Sequence, residues 1–76
     1  MNGKYIKKDN KIGLKIKIER VKRNISQEKL AELADLSRPT IGAIERGEQS
    51  PTFDTIELIA NAFGMTVQEL CNFDNL

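Results

Sequence analysis

SQEKLAELADLSRPTIGAIERG, residues Ser26–Gly47, carries two short helical patterns with a punctuated gap between them. The first pattern runs from Gln27 to Ala34 and the second from about Arg38 to Glu45. Ser26 and Ser37 stand where N-caps belong, each with a hydroxyl able to accept an otherwise unpaired backbone N–H. Leu30, Leu33 and Ala34 are expected on one face of the first helix, and Ile41 and Ile44, three apart, on one face of the second. Asp35-Leu36-Ser37 leaves room only for a sharp turn, with Leu36 placed to plug the angle between the helices. Asp35 tolerates a left-handed backbone better than most residues. Gly47 is the expected left-handed stop of the second helix.

Two helices so joined form a helix-turn-helix, whose second helix enters the major groove of DNA. Together with SPTFDTIELIANAFGMTVQEL (Ser50–Leu70), the stretch resembles the Cro/CI-type helix-turn-helix family, often called XRE-like. That family includes small phage repressors, restriction–modification controller proteins and many bacterial regulators. The most specific pieces are Ser26-Gln27 with Leu30-Ala31, Ser37 with Ile41, and Ile44-Glu45-Arg46-Gly47. Pro51-Thr52, Ile59-Ala60 and Gly64 add to them. The resemblance spans roughly Ile12 to Leu70. It implies an all-α fold, a compact five-helix lambda-repressor-like DNA-binding domain.

Composition sets outer bounds. Seventy-six residues make one small domain, whose core needs tightly packed helices or a dimer interface. No apolar run approaches the ~20 residues of a membrane span, and the polar N-terminus does not read as a secretory leader. Cys71 is the only cysteine, so no internal disulfide can form, which fits a reducing cytoplasm. It reads as packing. With no histidine and one cysteine, the usual zinc sites and histidine-dependent nucleophilic catalysis are excluded. Carboxylate-only chemistry stays open in principle but needs a cleft that this chain is barely large enough to form, so the sequence points to no enzyme, no cofactor, no metal and no small-molecule ligand. Net charge is +1, but residues 1–25 carry +7 and residues 26–76 carry −6. Such a split marks either a polyanion-facing half or a solvated basic helix opposite an acidic one.

In chain order, residues 1–10 read as a flexible basic tail, either frayed or an arm reaching DNA through Lys4, Lys7 and Lys8. Residues 11–72 form the helix-turn-helix domain, with helices expected at about 11–23, 27–34, 38–46, 53–63 and 67–72. Residues 73–76 are a short tail. Ile12, Ile16, Ile18 and Val21 supply the apolar positions of helix 11–23. Leu14, Ile18, Val21 and Ile25 make a second register, so the helix has no clear rotation, and Glu19 stands where the family has an apolar or small residue. In helix 53–63 the expected core stripe is Phe53, Ile56, Ile59, Ala60 and Phe63. Thr66 and Glu69 form a capping box ahead of the last helix, which should bury Met65, Val67 and Leu70.

Helix 38–46 is the expected reader. With Ile41 and Ile44 inward, Ser37, Arg38, Gly42 and Ala43 are left on the outer side, and Pro39 and Thr40 near the N-terminal tip. Gly42 inside a short helix costs about 1 kcal/mol against alanine, which either a closely approaching groove wall or accidental tolerance would explain. By resemblance the base-contacting residues are Arg38, Pro39, Thr40 and Ala43. Arg38 can take guanine O6 and N7 with its planar fork. The resemblance assigns phosphate contacts to Gln27 unless it is only a solvated first-turn residue, to Ser37 on phosphate or a base edge, and to Arg46 unless it only serves the helix end. The free N–H groups at the start of helix 53–63, with Thr52, offer a further phosphate contact. It also implies a structural ion pair between Arg20 and Glu45. Leu58, Phe73 and Leu76 lie outside the core stripes and are expected in a homodimer interface, unless the tail folds back on its own core. The partner implied is a double-stranded DNA operator. An antitoxin-like module whose main partner is a protein is the alternative reading.

Overall fold

The structure, a computed structural model, describes residues 10–74 and 76. Among the described residues five helices follow one another: α1 (Lys11–Lys22), α2 (Gln27–Ala34), α3 (Arg38–Glu45), α4 (Phe53–Phe63) and α5 (Val67–Leu70). There is no strand among the described residues, so the fold is all-α, as the sequence implies. α1 ends one residue earlier than expected, with Arg23 as its C-cap, and α5 stops at Leu70 with Cys71 as cap. Arg46 likewise caps α3 rather than belonging to it. The expected tail lysines Lys4, Lys7 and Lys8 lie outside the described residues.

Local chemistry sets the helix starts. The hydroxyls of Ser26, Ser37, Thr52 and Thr66 each accept the backbone N–H three residues on. Thr66 and Glu69 complete a reciprocal capping box. Asp35 ends α2 in the left-handed region at φ 58°, as a turn of this length requires.

Packing joins α3 to α2 and to α1, and α4 to α2, α1 and α5. Ile16, Leu30, Ile41, Ile44, Ile59 and Leu70 are fully buried at the centre. Each such side chain contributes about 1.5–3 kcal/mol by leaving water. Leu36 packs against this cluster from the turn; Ile12 of α1, Ile25 before α2 and Ile56 of α4 also pack against it.

Three expectations are corrected by the packing. The inward face of α2 is Leu30, Ala31 and Ala34, which puts Leu33 a quarter-turn outside and half exposed. Phe53, in the first turn of α4, is 63% exposed, and the inward stripe begins only at Ile56. On α1 the inward residues are Gly13, Ile16 and Glu19, while Leu14 and Val21 face out. Gly13 fixes this rotation, because a Cβ there would run into the Ile44 carbonyl of α3. Only a glycine lets the two backbones approach so closely.

Glu19, buried by that rotation, does not lack partners. Arg23 donates to its Oε1 at 2.7 Å, with Lys22 at 3.5 Å and Lys15 at 4.0 Å from Oε2. The Arg23 hydrogen bond, helped by these charges, holds its carboxyl below the usual glutamate range despite burial. Arg23 also donates to the Phe63 carbonyl at 3.1 Å and lies 4.7 Å over the Phe63 ring, tying α1 to the end of α4.

Candidate nucleic-acid interface

The tip of α3 is built by its cap. The Ser37 hydroxyl accepts the Thr40 N–H at 3.2 Å and donates to Thr40 Oγ1 at 2.8 Å. Pro39 lies in the first turn, where a missing N–H leaves no bond unmade. Behind the tip, Ile41 and Ile44 are fully buried. Ser37, Arg38 and Pro39 are therefore exposed, and Thr40 and Ala43 half-buried. Among the described residues, none forms an ion pair with Arg38.

The far end of α3 is clamped. Arg20 reaches across from α1 and donates from Nε to Glu45 Oε2 at 2.8 Å and from Nη2 to Oε1 at 3.1 Å. Its Nη1 donates to the Ile25 carbonyl at 2.9 Å, so one guanidinium also fixes the turn before α2. The Glu45 side chain is 2% exposed, and a third donor, Gln27 Nε2, reaches its Oε1 at 3.0 Å. Gln27 is thus held at the first turn of α2 by the same carboxylate that holds α3.

Gly42 is not open on the outer side, as the helical pattern suggests; it is buried. A Cβ placed there would stand 2.9 Å from Arg46 Nη1 and 3.5 Å from Gln27 Oε1. The bare backbone of Gly42 is therefore a floor covered by the ends of both Arg46 and Gln27. Arg46 in turn makes a bidentate pair with Glu48, Nε to Oε2 at 2.9 Å and Nη2 to Oε1 at 3.0 Å. Both partners are more than half exposed. Thr52 is exposed and committed to its cap, its hydroxyl accepting the Thr55 N–H at 3.1 Å.

The structure so brings Ser37, Arg38, Pro39, Thr40 and Ala43 together on α3, and Gln27 and Arg46 together over Gly42. The three apolar residues expected in an interface lie elsewhere. Leu58 and Leu76 are 39% and 43% exposed, and Phe73 is half-buried. Leu76 lines a cleft with Lys15 and Ile18 of α1 and Glu69 of α5. Lys15 spans that region, donating to the carbonyls of Glu69 at 3.1 Å and Asn72 at 2.7 Å. Sequence reading passes over Lys15 and Glu48. The charged positions four residues before and three and four residues after Glu19, and the Arg-Gly-Glu run at 46–48, were the available signals.

A helix-turn-helix family model matches residues 16–70, most of the chain and all of this surface. The chain belongs to the helix-turn-helix family. Its relatives there are regulators of the Cro/CI, XRE-like type. It is 37% identical over 65 residues to the immunity repressor protein of Bacillus phage phi105, covering 86% of this chain and 45% of that protein. It is 44% identical over 55 residues to the control protein C.BamHI of Bacillus amyloliquefaciens, covering 72% of this chain and 68% of that one. The match thus spans under half of the phage protein. Among solved structures, the restriction–modification controller protein C.AhdI of Aeromonas hydrophila superposes with a TM-score of 0.77 at 33% identity. That match covers 79% of this chain and 91% of C.AhdI. Helix-turn-helix membership and the all-α, five-helix fold agree with what the sequence implies. No helix among the described residues is long and apolar enough to cross a membrane.

Proposed function

We propose that this chain is a sequence-specific double-stranded DNA-binding transcriptional regulator, of the repressor or restriction–modification controller type. One observation carries the reading: the tip of α3 is exposed and polar, while two buried isoleucines and the Arg20–Glu45 pair hold it from behind. Seated in the major groove, Arg38 reads guanine, and Thr40, Pro39 and Ala43 supply hydrogen-bond and apolar contact to neighbouring base edges. Gln27, Ser37, Arg46 and Thr52 take phosphates and set the register, with the N–H groups at the helix starts adding to them. The names of the phage repressor and of the two controller proteins support the regulatory role.

The chain works as a homodimer in the cytoplasm, with Leu58, Phe73 and Leu76 in the interface. The two copies of α3 then stand about 34 Å apart on a near-palindromic site. Selecting bound duplexes from a random pool at a stated salt concentration tests the reading. A single enriched, near-palindromic motif is expected. Arg38→Ala should cost about 1–3 kcal/mol at one base position and relax the preference there. An equal loss on every sequence would make Arg38 a phosphate contact. Sedimentation at micromolar concentration should find a dimer, and a monomer would refute the interface.

A further inference from the structure

Arg46 and Glu48 hold each other in a geometry that DNA would have to undo. Arginine presents a planar fork of N–H donors, and a carboxylate and a phosphate can each meet it with two oxygens. In this structure the Nε–Nη2 edge of the fork is taken by Glu48, at 2.9 and 3.0 Å, while Nη1 lies against Gly42. The guanidinium lies over the floor made by Gly42, beside the Gln27 amide. The pair stands in water, 56% and 60% exposed, so it is open to exchange.

We propose that Glu48 is an internal stand-in for a backbone phosphate, and that it sets how strongly this chain binds DNA of any sequence. This rests on the DNA-binding reading above. In the free protein Glu48 occupies the fork of Arg46. In the complex a phosphate takes the fork, and Glu48 is left as an unpaired carboxylate beside a polyanion. The Arg46–Glu48 unit thus brings no net charge to the duplex. Phosphate contacts supply nearly all sequence-independent binding, whereas base contacts supply discrimination. Glu48 therefore trims the first and leaves the second with Arg38. It acts as a specificity-determining residue without touching a base.

A four-protein cycle tests this: wild type, Glu48→Gln, Arg46→Gln and the double variant. Each is titrated against a fluorescein-labelled duplex of mixed sequence over a potassium chloride series, with circular dichroism to check folding. Glu48→Gln should bind the duplex more tightly, with a salt slope steeper by about 0.9, the value of one added phosphate neutralisation. Its advantage over wild type should then shrink about threefold between roughly 50 and 200 mM salt. In the Arg46→Gln background the same change should bring a clearly smaller gain, the part owed to relieved repulsion alone. An equal gain in both backgrounds would show that Glu48 merely repels DNA, and no gain in either would remove it from the interface. Each result overturns this inference alone. No binding by any of the four at the lowest salt overturns the DNA-binding reading itself, and this inference with it.

Discussion

The chain contains two bidentate arginine–glutamate pairs of nearly the same geometry and opposite consequence. Arg20 grips Glu45 at 2.8 and 3.1 Å; Arg46 grips Glu48 at 2.9 and 3.0 Å. The first pair is 13% and 2% exposed, the second 56% and 60%. Bond length does not separate a clamp from an exchangeable contact. Surroundings do. Around Glu45 a third acceptor site is taken by Gln27, and Arg20 spends a third donor on the Ile25 carbonyl. Removing either charge leaves the other buried without a counterpart. Around Glu48 water can replace each partner at little cost.

The largest expected effect breaks that symmetry outright. Glu45→Gln should cost about 3–5 kcal/mol of folding stability, because the Arg20 charge then remains buried and unbalanced. Glu48→Gln should leave the thermal midpoint within error of wild type. Paired thermal melts check both. Equal losses in the two variants would mean that exposure is not what distinguishes the pairs.

A smaller effect comes from a third glutamate, which lies between these extremes. Glu19 is 6% exposed and meets three cations, yet all of them come from its own helix or its C-cap. Its carboxyl is held below the ordinary value of 4.5, first by the Arg23 hydrogen bond. A group whose folded value is depressed stabilises above its unfolded value. That contribution is whole at neutral pH and disappears as pH falls below 4.5 through the lower folded value. Thermal midpoints followed across this range should fall less steeply in Glu19→Gln than in wild type. An unchanged acid limb would assign the acid loss to other carboxylates.

These three glutamates also mark how far the sequence was legible. Helix starts were readable because a cap is local chemistry. Ser26, Ser37, Thr52 and Thr66 each bond a backbone three residues away, and nothing distant can alter that choice. The left-handed Asp35 was readable for the same reason. The exposed tip of α3 followed from two isoleucines three residues apart. The rotation of α1 was not readable, because two apolar registers competed and the outcome rests on Gly13 against a carbonyl of another helix. Glu19 is inward since that contact turns it inward, and its cations follow. Phe53 met the helical spacing but precedes the part of α4 that the core covers. Gly42 was read as a gap facing outward. Its cover comes from the Arg46 and Gln27 side chains, which no periodicity could place.

The smallest expected effect falls on that glycine, and it separates stability from binding. Gly42 lies in the middle of α3, where alanine is favoured by about 1 kcal/mol on backbone grounds. A Cβ there would come within 2.9 Å of Arg46 Nη1, the movable end of an exposed side chain, and at 3.5 Å would only touch Gln27. Arg46 can swing aside; the Gln27 contact is ordinary packing. Gly42→Ala should therefore raise the unfolding free energy by up to about 1 kcal/mol while lifting Arg46 off its floor. If that floor positions the guanidinium for phosphate, the same variant binds duplex DNA more weakly and with a shallower salt slope. Denaturant unfolding and an anisotropy titration on one preparation read both quantities. A gain in stability with unchanged binding would show that Arg46 finds its phosphate without the floor. A loss of stability would show that the space over Gly42 is closed, and that the Arg46 end of α3 is as rigid as the Glu45 clamp.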